Sequence, residues 1–190
     1  MPRWNRSSAW ALTVGVLAGV LLLVCSPASD AHETVKLRGN HPTAIAGRPT
    51  GRIDPQRMLT MTMSLKLRDP QALSRLLSEQ QDPSSPNYHR WLTPQQFAAR
   101  FGPEPAQFKA LKDWLKKQGF EVVSSSGQRR TITFRGSAGR AQRVFKTKIL
   151  TYGKDSYANV DDPSIPARFA DVIGAITGLD NVMRAMPLSR

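Results

Sequence analysis

Met58-Leu59-Thr60-Met61-Thr62-Met63-Ser64-Leu65-Lys66-Leu67 alternates apolar and polar residues with a period of two. Successive side chains of an extended chain point to opposite sides. The spacing therefore predicts a strand that buries Leu59, Met61, Met63, Leu65 and Leu67 and leaves Thr60, Thr62, Ser64 and Lys66 toward water. A methionine row could also line a ligand face, but at strand spacing it reads as core. Asp69-Pro70 follows, with Asp69 suited to cap a helix and Pro70 suited to its first turn. The helix is expected to run to Gln81, with Leu73, Leu76, Leu77 and Gln80 on one face.

Working outward toward the C-terminus, Thr93-Pro94-Gln95-Gln96 announces a second helix, in which Gln96 can reach back to the cap. Phe97 and Phe101 lie four apart on its inner side, and Gly102-Pro103 ends it. A third helix, from about Pro105 to Gln118, has an apolar stripe of Phe108, Leu111, Trp114 and Leu115 opposite Lys109, Lys112, Lys116 and Lys117. Gly119 closes it. Two short strands carry Phe120 with Val122 and Ile132 with Phe134, joined by a turn at Ser124–Gln128. Ser137 caps a helix to about Phe145, with Ala138, Ala141, Val144 and Phe145 facing inward. Thr147–Tyr152 is expected as the last strand, carrying Ile149 and Tyr152. The order is β-α-β-β-α-β with extra helical turns after the first helix. It predicts an α+β, ferredoxin-like antiparallel sheet with its helices on one face.

Toward the N-terminus, residues 32–57 contain Gly39, Pro42, Gly47, Pro49, Gly51 and Pro55, and read as a flexible lead-in. Residues 1–31 read as an export signal peptide. Arg3 and Arg6 precede an uncharged run from Ala9 to Val24, and small residues follow at Ala28, Ser29 and Ala31. Cleavage is expected near Ala31, giving a secreted, extracellular or periplasmic protein. The run is short for a bilayer span, which needs about 20 apolar residues, so membrane contact is expected only through this segment. Cys25, the single cysteine, lies inside it.

The chain carries 27 basic and 14 acidic residues, a net charge of +13. Loss of Arg3, Arg6 and Asp30 with the signal leaves 25 basic and 13 acidic residues, a net +12, so the basic character belongs to the remainder. The candidate contact residues are Arg129, Arg130, Arg140, Arg143, Lys146 and Lys148. They form either a solvated face or a docking face for an acidic partner. Aromatics interleaved for base stacking are missing from the set, so no nucleic-acid partner is expected.

The sequence after residue 31 has no Cys, and its histidines, His32, His41 and His89, have no partner at metal-ligand spacing. There is no nucleophile elbow, phosphate loop or dinucleotide fingerprint. Asp161-Asp162 before Pro163, and Ser124-Ser125-Ser126, read as turns. No catalytic, cofactor or metal residue is assigned, no cofactor is expected, and the chain is not read as an enzyme.

Asp82-Pro83-Ser84-Ser85-Pro86-Asn87-Tyr88-His89-Arg90-Trp91-Leu92-Thr93 continues to Phe97 and then Phe101-Gly102-Pro103. It resembles the signature of the activation (pro) domain of sedolisin/kumamolisin-type serine-carboxyl peptidases. Its matched positions are Asp82, Pro83, Ser85, Pro86, Tyr88, His89, Leu92, Thr93, Phe97, Phe101 and Gly102. Tyr157-Ala158-Asn159, Asp162-Pro163 and Gly178-Leu179-Asp180-Asn181 extend the likeness. It implies an activation domain over 58–181, with 182–190 as linker or tail. Such a domain would inhibit a subtilisin-like serine-carboxyl catalytic domain and assist its folding, as a detached zymogen front or in trans. The alternative is a basic envelope protein binding anionic polymer or lipid. Tyr88, Trp91, Leu92 and Phe97 are expected to pack a helical turn against the core. His89 is expected as a hydrogen-bonded structural residue or a pH switch.

Overall fold

The computed structural model describes residues 33–43, 45 and 47–182. The expected signal segment and residues 183–190 of the expected tail lie outside them. In chain order the elements are β1 (Thr34–Lys36), β2 (Gly51–Arg52), β3 (Met58–Leu65), α1 (Pro70–Gln81), α2 (Pro94–Phe101), α3 (Pro105–Lys117), β4 (Glu121–Ser125), β5 (Thr131–Ser137), α4 (Ala138–Phe145), β6 (Ile149–Tyr152), β7 (Ser156–Asn159), β8 (Ser164–Pro166), a 3₁₀ turn (Ala167–Phe169) and β9 (Ile173–Thr177).

The main sheet has the strand order β4-β5-β3-β9 with every neighbour antiparallel. β3 is one of the two inner strands, and its alternation sets which face is covered. Leu59, Met61, Met63 and Leu65 are buried, while Thr60, Thr62 and Ser64 face away. The helices α3 and α4 cover the inner face through Phe108, Leu111, Trp114 and Leu115 and through Ala138, Ala141 and Phe145. Phe120 stacks on Phe145 at 5.6 Å and meets Phe134 edge-on at 5.2 Å. The result is the expected α+β sandwich.

Its fourth strand differs from the expectation. Thr147–Tyr152 does not join the main sheet; β6 lies between β2 and β7 in a second sheet. Lys146 takes a left-handed conformation at φ 49° and turns the chain away, and β6 then pairs with β7, its neighbour along the chain. The edge place goes to β9. Ile173 and Ile176 both face inward although three apart, because a bulge opposite Ser64/Leu65 absorbs the odd residue. Behind β9, Gly178 at φ +88° passes the backbone of β3 so closely that a Cβ would lie 2.3 Å from the Thr60 carbonyl oxygen.

The described residues of the stretch read as a flexible lead-in are built into the fold. β1 pairs with β8 and β2 with β6, and Leu37 and Ile53 are buried. The Asn40 amide donates to the Ile176 carbonyl at 2.7 Å and accepts from the Ile176 N–H at 2.6 Å. Asp162 accepts from Asn40 N–H at 2.7 Å, Gly39 N–H at 3.2 Å and His41 Nδ1 at 2.8 Å. Glycine and proline shorten these strands, but they leave the intervening polar groups free to bind across the fold.

The β4–β5 turn also comes later than expected. β4 runs through Ser125 with a bulge between Val122 and Ser124, and Ser126 accepts from the N–H groups of Arg130 and Thr131. The extra bulge residue, Val123, hides the strand's continuation from a period-two reading.

Candidate interaction surface

The helices α1 and α2 and the loop between them form an arm beside the sandwich. Asp69 caps α1 by accepting from Ala72 N–H, and Thr93 and Gln96 close the expected capping box on α2. Leu76, Ala98 and Phe101 are buried, yet they lie outside the main core cluster. Leu77, expected on the inner face of α1, is 46% exposed.

Two arginines and one glycine join the arm to the body. Arg129, at the tip of the β4–β5 hairpin with φ 55°, donates to the carbonyls of Pro103 and Ala98. Arg68 pairs with Glu104 and donates to the Ala99 carbonyl. A Cβ on Gly102 would sit 2.8 Å from the Gln128 carbonyl oxygen, so only glycine allows this approach.

The Asp82–Leu92 segment is fixed by its own polar groups. Ser84 donates its hydroxyl and its N–H to Asp82, which holds that carboxyl below the usual aspartate range. Asn87 N–H reaches Ser85 Oγ, Asn87 Nδ2 reaches Glu79, and His89 N–H reaches the Gln80 carbonyl. The buried Gln80 amide donates to the Arg90 carbonyl. With its backbone bound in this way, the segment turns its rings outward. Tyr88 is 38% and Trp91 64% exposed. The expected packing of these two against the core is therefore corrected: the bonds of Asn87, His89 and Gln80 hold the turn with both rings directed to solvent. Leu92 and Phe97 are half-buried. His89, at φ 55°, is exposed and stacks on Tyr88 at 3.8 Å and on Trp91 at 6.0 Å.

The six candidate basic residues do not form one cluster. Arg129 is an internal clamp at the start of α3. Arg140 lies at the other end, donating to the Gly119 carbonyl; thirteen helical residues separate the two ends by about 20 Å. Arg130 is half-buried and Arg143 exposed. Lys146 donates to Thr34 Oγ1, while Lys148 and Arg52 line a cleft of about 460 Å³ over Ile53 and Ile149. No group of three or more His, Cys, Asp or Glu side chains could hold a metal ion among the described residues.

The sheet face opposite the helices is open. Thr60, Thr62 and Ser64 of β3, Thr131, Thr133 and Arg135 of β5, and Ala175 and Thr177 of β9 are all exposed or half-buried. Thr62 and Thr133 share a hydrogen bond across it at 3.2 Å, and Arg135 pairs with Glu121 at 2.8 Å. It is a surface of hydroxyls and methyls bordered by the Arg135–Glu121 pair. The alternation in β3 was enough to find it, whereas nothing in sequence spacing distinguishes the outward rings of the arm from core residues.

The profile of the family "Pro-kumamolisin, activation domain" matches residues 47–182. Sedolisin of a Pseudomonas strain is 34% identical over 131 residues, which are 67% of this chain and 22% of that protein. Xanthomonalisin of a Xanthomonas strain is 32% identical over 179 residues, 93% of this chain and 20% of that protein. Mouse tripeptidyl-peptidase 1 is 38% identical over 69 residues, 36% of this chain and 12% of its own length. The chain thus spans about a fifth of sedolisin and of xanthomonalisin.

Proposed function

This chain belongs to the pro-kumamolisin activation-domain family and is not itself the peptidase, and on that premise we propose that it binds the catalytic domain of a serine-carboxyl peptidase, inhibits it and assists its folding, in cis or in trans. The observation that carries the reading is the open sheet face. A sandwich with helices on one side only leaves a rigid, preformed surface of Thr60, Thr62, Ser64, Thr131 and Thr133. Its side chains lose little entropy when covered, which favours association.

Charge supports the same reading. A net +12 after loss of the signal suits an acidic partner, and such complementarity acts mainly on association rate and orientation. Protonating the partner's carboxylates would weaken the attraction. Export through residues 1–31, with cleavage near Ala31, belongs to this proposal.

The test is to titrate the full chain into mature xanthomonalisin and follow peptide hydrolysis. Inhibition is expected, weakening with added salt and as the pH falls toward 4. Unchanged hydrolysis at a large excess of the chain would remove the reading.

A further inference from the structure

We propose that the Tyr88–His89–Arg90–Trp91 turn is a second docking point for the peptidase catalytic domain, taking an apolar pocket with an acidic rim. The inference rests on the reading above and adds to it a surface outside the sheet.

Four observations carry it. First, the rings are presented in an ordered array: Tyr88, His89 and Trp91 lie in series at 3.8 and 6.0 Å, both pairs with interplanar angles of 22°. Adjacent side chains diverge in regular extended backbone. Here the left-handed conformation of His89, uncommon outside glycine, accompanies stacking between neighbours. Second, the array is preorganised. Every bond that fixes it, from Gln80, Asn87 and Ser85, is made within the arm, so binding would not have to order it. Third, Trp, Tyr and Arg dominate binding hot spots, and all three stand together here around a motif that contributes little to the core. Arg90 supplies the charge that an acidic rim would meet.

The fourth observation is area. Four strands about 4.8 Å apart and roughly 20 Å long offer on the order of 400 Å² in projection. A standard interface, about 800 Å² of accessible surface on each partner, extends beyond the outline of such a face. The arm stands at the end of the sheet where β3 leaves and β5 enters, held there by Arg129 and by the bond from Arg68 N–H to the Phe101 carbonyl. A partner lying along the open face would reach it by extending past that end. The relatives of this chain are about five times as long as the segment matched, and so contain a body large enough to cover both surfaces.

The experiment labels the full chain with 5-fluorotryptophan and assigns the Trp91 fluorine signal by its loss in Trp91→Phe. Mature xanthomonalisin is the probe. The Trp91 signal is expected to shift and to lose access to a soluble nitroxide in the complex, while the signal of buried Trp114 stays in place. Trp91→Ala is expected to raise the inhibition constant about tenfold or more, the scale of one hot-spot residue. Its melting temperature should match that of the unsubstituted chain, since the indole is largely in water. Unshifted Trp91 in a complex that still forms, or a Trp91→Ala chain that inhibits as well as the original, overturns the proposal and leaves the sheet-face reading standing. Absence of any complex overturns both. A Trp91 signal that shifts with the concentration of the chain alone assigns the row to self-association and also overturns the proposal.

Discussion

The sheet sandwich encloses Met61, Met63, Phe134 and Phe145 with no exposed surface, whereas the arm encloses Leu76, Ala98 and Phe101 and leaves Leu77, Tyr88 and Trp91 in water. The sandwich is held by apolar burial, worth about 1.5–3 kcal/mol for each large side chain. The arm is held by capping bonds, a glycine contact and two arginine clamps, each directional and each dependent on a few atoms. One region can tolerate changes that preserve volume. The other is expected to loosen when a single guanidinium is lost. The difference also separates tasks: the sandwich provides a rigid platform, and the arm carries side chains that the platform has no room to bury.

The largest effect should come from emptying the sandwich. Phe134→Ala is expected to lower stability by about 3–5 kcal/mol, because the ring leaves a cavity between Phe120 and Phe145; urea unfolding measures it. Arg129→Ala should break the comparison from the other side, costing about 1–3 kcal/mol by removing charged hydrogen bonds to two carbonyls. Hydrogen exchange should then speed up in α1 and α2 and stay slow in β3 and β5. Equal acceleration in both regions would show that arm and sandwich unfold as one unit. Thr93→Ala removes the α2 cap and should cost about 1 kcal/mol, again confined to the arm.

The smallest expected effect is a pH dependence of the sandwich. Burial alone would raise the Asp162 carboxyl, but the bonds from His41, Asn40 and Gly39 outweigh it and hold the group below its usual range. Its contribution is therefore complete above the ordinary aspartate pKa, near 4, and is lost as the pH falls through the lower folded value. Asp162→Asn should unfold at lower urea than the original chain at pH 6. The two should converge in strong acid.

Much of the sandwich, and the start of α2 in the arm, was legible because periodicity and capping are local. The alternation in β3, the Thr93 capping box and the apolar stripe of α3 each follow from neighbours in sequence. What escaped depends on distance. β9 hides because its bulge puts Ile173 and Ile176 out of period. The stretch from 33 to 57 hides because its ordering comes from Asp162 and Ile176, more than a hundred residues away. The open sheet face could be read from the polar half of β3. The outward rings of the arm could not, since Trp91 is apolar and its direction follows from bonds that Gln80 and Glu79 make to the turn from eight to ten residues away. Arg129 looked like a surface charge for the same reason: its carbonyl partners lie 26 and 31 residues away.

The Asn40 side chain imitates a strand. By bonding both the N–H and the carbonyl of Ile176, it occupies the outer rim of β9 with one residue where a neighbouring chain would otherwise pair. At the opposite rim, the bulge at Val123 breaks the regular ladder of β4. Together they discourage two copies of the sheet from joining end to end into a larger one. Such joining is a hazard for any domain with a bare, threonine-lined sheet. The amide of Asn40 thus closes part of one sheet edge, and it leaves the broad face of the sheet free.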